Sequence, residues 1–138
     1  MKYENVFSLL EEITVNNSEK ISLGMKSKWG WNEFTYKGLG LLSRRLASYL
    51  IEDLQIEKGE KLAILSESKP EYGACVFGSV LAGLTTVPLD NKLTIFELHS
   101  ILSNCEPTVM LVSSTYIDKA KELKNKIPSI KYLSLIHI

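Results

Sequence analysis

The sequence predicts an α/β fold: a mostly parallel sheet with helices on both faces, preceded by a small helix and a β-hairpin. Two observations carry that prediction. Lys58 to Asp90, KGEKLAILSESKPEYGACVFGSVLAGLTTVPLD, reads as turn, buried strand, helix built on small residues, and second strand. From residue 61 onward, apolar runs of strand length alternate with segments of helical periodicity, the pattern of βαβ crossovers and a parallel sheet.

The elements follow in chain order. Residues 5–14 form an amphipathic helix ended by the polar stretch Val15 to Lys20. Ile21 to Met25 and Trp31 to Tyr36 alternate as strands and pair around Lys26 to Gly30. Trp29 and Trp31 share one face of that hairpin, where packing is the expected role rather than stacking on a ligand. A long helix starts at Thr35, its N-cap, with Leu39, Leu42, Leu46, Leu50 and Leu54 as the apolar stripe. Gly59 turns the chain into the strand Lys61 to Leu65. Pro70 opens the next helix, where its missing N–H has no intrahelical partner anyway. Ala74, Gly78 and Ala82 recur every four residues, so this helix can approach a sheet or another helix closely. Gly83 stops it, and Thr85 to Leu89 is the next strand, with Pro88 unable to donate to a ladder. Thr94 and Glu97 make a capping box ahead of a helix with Ile95, Leu98 and Leu102 on its apolar side. After Pro107 comes the strand Thr108 to Val112. A last helix carries Tyr116, Ala120, Leu123 and Ile127 on one side and is stopped by Pro128.

Gross composition excludes more than it assigns. Sixteen basic residues balance sixteen acidic ones in 138 residues, which gives no bulk attraction to nucleic acid. Lys119 to Lys126 reads as a solvated helix face. Cys75 and Cys105 have no metal-ligand spacing and read as small buried hydrophobes in a reducing cytoplasm. No signal-peptide core follows Met1, and the apolar run Ala74 to Leu84 is too short to span a bilayer. Peripheral membrane contact stays open.

Few residues invite a chemical reading. Gly38-Leu39-Gly40-Leu41-Leu42-Ser43 approaches the dinucleotide fingerprint G-x-G-x-x-G/A, whose backbone N–H groups face a pyrophosphate. Ser43 replaces the third glycine, and both glycines fall inside the helix begun at Thr35. Ser113-Ser114-Thr115 follows a strand without glycine or Gly-Lys, so helix capping is the expected role. His99 lies on a helix with no partner at triad or ligand spacing. The pairs Glu11-Glu12, Glu52-Asp53 and Glu57/Glu60 are expected to be solvated. Glu67 follows the first buried strand, at the carboxyl end where open α/β sheets bind ligands.

An ordered set of features carries a family resemblance over roughly residues 5–132. It consists of Phe34-Thr35-Tyr36 before the long helix; Leu46-Ala47 and Leu50 within it; Gly59-Glu60-Lys61-Leu62-Ala63-Ile64; Lys69-Pro70-Glu71-Tyr72; Leu81-Ala82-Gly83 with Val87-Pro88-Leu89; and Glu97-Leu98. Together they resemble the N-terminal part of the AMP-forming adenylating enzymes, the acyl-CoA synthetases and their relatives. SESKPEYG and PLDNKLTIFELHSIL look most like long-chain fatty-acid–CoA ligases. Two departures touch packing: Gly38 stands where the family often has glutamate, and Gly83-Leu84 replaces the usual Gly-Ala.

The resemblance implies a reaction in which a carboxylate attacks the α-phosphate of ATP, and coenzyme A or a carrier-protein thiol then displaces AMP, with Mg²⁺ offsetting phosphate charge. The family's phosphate loop, ribose-binding aspartate and late catalytic lysine have no counterpart here. No catalytic, cofactor-binding or metal residue is therefore carried over. The expectation is an N-terminal piece of an adenylation domain that is inactive alone, binds no cofactor itself and lacks the remainder of its own domain. Two other readings are an NAD-dependent oxidoreductase using Gly38 and Gly40, and a non-catalytic α/β binding or signalling domain. A receiver-type signalling domain needs clustered acids at strand ends, which the residues near Leu65, Pro88 and Val112 do not supply.

The tail Leu133-Ser134-Leu135-Ile136-His137-Ile138 has two readings. It alternates as a strand does. One codon choice for it, CTG TCT CTT ATA CAC ATC, is also the transposon-end adapter of tagmentation libraries. On that reading 1–132 is family sequence, 133–138 is adapter read-through, and His137 has no role.

Overall fold

The computed structural model describes residues 3–136. The chain divides into two units: residues up to Gln55 with Ser68–Ala82, and Ile56–Glu67 with the residues from Gly83 onward.

The first unit holds α1 (Val6–Asn16), β1 (Ile21–Ser27), β2 (Gly30–Thr35), α2 (Tyr36–Ser48) and α3 (Pro70–Leu81). Asn5, paired with Ser8 in a reciprocal box, caps α1, which runs two residues past the expected end. β1 and β2 form an antiparallel ladder with Lys26 opposite Trp31 and Ser27 opposite Gly30. Gly30 takes φ 125°, open only to glycine. Thr35 caps α2 by accepting the Gly38 N–H at 3.0 Å. The buried side of α2 is Leu39, Gly40, Ser43 and Ala47, continuing to Leu50, so Leu42 and Leu46 sit at its margin. The Ser43 hydroxyl is satisfied within the helix, donating to the Leu39 carbonyl at 2.7 Å. The expected single helix to Leu54 does not form: Tyr49–Asp53 is a π-helical turn, and Gln55 ends it at φ 53°. The wider turn shifts the register by one residue, leaving Leu54 half-buried outside the helix.

α3 packs on α2 as its small residues predict. A Cβ on Gly78 would lie 2.9 Å from the Leu46 Cβ, so glycine sets the helix–helix spacing. Cys75 is buried on α3, and burial, then Glu71 nearby, pushes its thiol up to about 12. Gly83, at φ 76°, follows the Ala82 C-cap.

The second unit is a four-stranded parallel sheet. β3 (Lys61–Leu65) pairs with β4 (Thr85–Pro88) and β5 (Val109–Val112), and β5 with β6 (Tyr132–Leu135), giving the order β4-β3-β5-β6. Pro88 lies on an edge strand, where a missing donor is tolerated. α4 (Ile95–Cys105) and α5 (Ile117–Lys126) cover one face. There Ala63, Leu65, Met110 and Val112 pack with Leu98, Leu102, Ala120 and Leu123. The alternate set, Leu62, Ile64, Val109 and Leu111, is buried as well, as expected of parallel strands. β6 docks where the alternating pattern dictates, with Leu133 against the core and Ile136 N–H on the Val112 carbonyl. His137 lies outside the described residues.

Two carboxylates tie local geometry to pH. Glu97 completes its capping box by receiving the Thr94 N–H at 2.8 Å and hydroxyl at 2.7 Å. These bonds hold its pKa below the usual value. Glu60 receives the Glu57 N–H at 2.7 Å and the Thr108 hydroxyl at 2.8 Å, in that order the causes of its own lowered pKa. A depressed folded-state pKa adds stability above the unfolded carboxylate pKa and loses it as pH falls through the folded value. Urea midpoints should therefore drop as pH falls below about 4, and less steeply in Glu60→Gln/Glu97→Gln. Equal slopes would show that these bonds carry no charge-linked stability.

Candidate functional site at the switch point of the parallel sheet

The chain leaves β3 toward the β4 side and leaves β5 toward the β6 side. The strand order thus reverses between β3 and β5, and open α/β sheets bind ligands beyond the carboxyl ends of such strands. Glu67, singled out by the sequence, lies there. Its Oε2 accepts the Ser113 hydroxyl, and its Oε1 accepts the Thr115 hydroxyl at 3.4 Å. Ser113 is fully buried just past β5, its N–H on the Leu65 carbonyl at 3.1 Å. Asn91, beyond β4, donates its side-chain amide to the Ser66 carbonyl at 3.0 Å.

Ser113 corrects an expectation. It makes no side-chain cap to the 3₁₀ turn Ser114–Tyr116 that precedes α5, because its hydroxyl is committed to Glu67. Asn91 and Ser66 carried no sequence signal: one amide in a loop acquires meaning only when the strands are placed. Chemically, the set is a carboxylate that anchors two loops. With hydroxyls bonded to both oxygens, the carboxyl group offers no donor to a triphosphate.

The other singled-out residues separate. Gly38 and Gly40 lie inside α2, after a strand of an antiparallel hairpin. The Gly38 N–H is taken by Thr35, and a Cβ on Gly40 would meet the Thr14 side chain at 2.8 Å. These glycines serve a cap and a helix contact, and the dinucleotide reading fails on both. His99 is half-buried on α4, beside a cleft shared with Ile95, Phe96 and Lys126. Lys126 pairs with Glu122 at 2.7 Å, while Lys119 donates to the Leu93 carbonyl at 2.9 Å. Glu11 pairs with Arg44 at 2.6 Å. Cys75 and Cys105 are both thiols, the latter half-buried and raised in pKa by burial. Among the described residues, no group of three or more His, Cys, Asp or Glu could hold a metal ion. No helix there is long and apolar enough to cross a membrane.

Comparison with known proteins decides between the readings. The sequence model of the AMP-binding enzyme family matches residues 11–137. The chain belongs to the AMP-binding enzyme family. A hybrid PKS-NRPS synthetase, pydA of an Acremonium species, is 27% identical over 120 residues, covering 87% of this chain and 3% of that protein. Long-chain fatty acid transport protein 6 of Mus musculus is 24% identical over 95 residues, covering 69% of this chain and 15% of that protein. The crystal structure of the anthranilate CoA ligase AuaEII, in complex with anthranoyl-AMP, shares the fold at TM-score 0.85 and 20% identity. That match covers 96% of this chain and 25% of the ligase. The chain thus spans a small part of the length of each relative.

Proposed function

We propose that this chain is the N-terminal part of an ATP-dependent acid–thiol ligase that adenylates a fatty acid and passes the acyl group to coenzyme A in the reducing cytoplasm. The family match over residues 11–137 carries the proposal. A fatty-acid substrate is supported by the likeness to long-chain fatty acid transport protein 6 and by the SESKPEYG and PLDNKLTIFELHSIL segments. The free thiols of Cys75 and Cys105 are consistent with the compartment. ATP, Mg²⁺ and coenzyme A would be held by chain beyond this part, since the Glu67 carboxyl group offers no donor to a polyphosphate. No step is assigned to residues of this chain.

The test is ATP–pyrophosphate exchange with a panel of carboxylates. The 138-residue chain alone should give none. A protein extended through the complete adenylation domain should give exchange, fastest with fatty acids. Exchange by the chain alone would sink the claim that it is inactive. An extended protein that prefers aromatic or amino acids would sink the substrate. Separately, we propose that 133–138 is adapter read-through, and the codons of the nucleotide record test it. Other synonymous codons, or genomic continuation past Ile138, would overturn it. The β6 pairing does not discriminate, because any alternating apolar segment satisfies the edge beside Val109–Val112.

A further inference from the structure

The expected packing role of the two tryptophans is not what the structure shows. Trp29 is 88% exposed and Trp31 65% exposed, at the tip of the β1–β2 hairpin. Large aromatic side chains normally bury their area, whereas these two indoles, two residues apart in the sequence, stay exposed. Three features around them bear on why. The tip, Lys26-Ser27-Lys28-Trp29-Gly30-Trp31, carries two lysines and no carboxylate. Lys26 stands opposite Trp31 in the ladder, and the Lys28 ammonium sits 5.1 Å from the Trp29 ring centroid. Glu33, on the Trp31 face, lies two ladder pairs further from the tip, where its side chain and the Trp31 ring both reach over Gly24. The tip is also held in shape. Ser27 Oγ donates to the Gly30 carbonyl at 3.0 Å and accepts the Trp29 N–H at 3.2 Å. The Trp31 ring reaches over Gly24, 3.7 Å from where a Cβ would be.

We propose that this hairpin tip docks the protein on an anionic lipid bilayer, the indoles in the headgroup layer and Lys26 and Lys28 on the lipid phosphates. Tryptophan favours that interface because its ring is apolar with a polar N–H, and lysine stems extend to the charged headgroups. Each lysine near an anionic surface adds roughly fivefold in affinity. If the chain continues as the ligase reading proposes, the tip must stay open in the complete domain: a protein extended through that domain should bind anionic vesicles too, and loss of binding there overturns the proposal by assigning the tip to the rest of the chain.

The protein offers its own probe, since Trp29 and Trp31 are its two tryptophans. The 138-residue chain, carried on a soluble tryptophan-free fusion partner, is mixed with vesicles of phosphatidylcholine and phosphatidylglycerol in a three-to-one ratio. Tryptophan emission should shift to the blue, and the protein should co-sediment with the vesicles. Pure phosphatidylcholine should bind at least tenfold more weakly, and added salt should release the protein. Trp29→Ser/Trp31→Ser should lose at least tenfold in co-sedimentation, as should Lys26→Glu/Lys28→Glu. Phe96→Ser, removing an aromatic that is 82% exposed on another element, should bind as the parent does. Circular dichroism should stay unchanged throughout, because the turn bonds involve neither the indoles nor the ammonium groups. No emission shift on anionic vesicles, or equal co-sedimentation of the tryptophan variant, overturns the proposal. A blue shift that appears without vesicles as protein concentration rises also overturns it, assigning the tip to a second copy of the chain.

Discussion

Leu102→Ala should cost about 2–5 kcal/mol, a large part of the roughly 5–15 kcal/mol that holds a typical native domain. Leu102 is fully buried on α4, in the cluster with Ala63, Leu65, Met110, Val112 and Leu123. Truncation removes apolar atoms from a site walled by side chains that β3, β5 and a second helix hold in place, which limits collapse into the gap. The transfer loss therefore adds to a cavity term. The neighbouring residue provides the control. Ile101 is as apolar but 40% exposed on the other side of α4, and Ile101→Ala should stay within about 0.5 kcal/mol of the parent. Urea unfolding of both variants checks the contrast. Equal losses at the two positions would mean that α4 does not present the face described here.

Periodicity made that face legible. Leu98 and Leu102 at four-residue spacing, opened by a T-x-x-E box, place both the start of α4 and its buried stripe. The same holds for β3 and β5, whose continuous apolar runs suit strands buried on both faces, whereas the edge strand β4, Thr-Thr-Val-Pro, has no buried residue. Periodicity failed where burial is achieved without apolar side chains. On α2, Gly40 and Ser43 lie on the buried side while Leu42 and Leu46 sit at its margin, because close helix contact rewards the smallest residue and Ser43 bonds its own helix. The π turn was equally invisible, since Tyr49-Leu50-Ile51-Glu52-Asp53 suits an α-helix as well. At the candidate site the sequence placed Glu67 at a strand end but could not find its partner. Ser113 stands 46 residues away, and strand order alone makes it a neighbour. The tryptophans failed for another reason: alternation tells which side chains share a face of a two-stranded ribbon, not whether anything covers it.

The role of small residues gives the sharpest test, because one substitution should act in opposite directions at two glycines. Gly78→Ala replaces a poor helix former, which alone would gain about 1 kcal/mol. Its new Cβ would lie 2.8, 2.9 and 3.0 Å from the Leu46 Cδ2, Cβ and Cγ. Cδ2 can swing away on a rotamer change, but Cβ is fixed to the α2 backbone. The helices must then part or shift, at a cost of typically about 1–3 kcal/mol. The net effect should be destabilising, and Gly78→Leu should be worse. Gly38→Ala should go the other way. The nearest atom to its added Cβ is Thr35 Oγ1 at an ordinary 3.4 Å, so the gain in helix propensity is not opposed. Gly38→Glu should gain at least as much, supplying the carboxylate that turns the Thr35 cap into a reciprocal box. Leu46→Ala combined with Gly78→Ala completes the cycle. It removes two of the three close contacts and leaves the Cβ, so the double variant should be more stable than the sum of the single losses predicts. Thermal and urea unfolding measure all six variants, the single Leu46→Ala included. A stabilising Gly78→Ala, or strict additivity with Leu46→Ala, would show that the α2–α3 spacing is not set by this glycine.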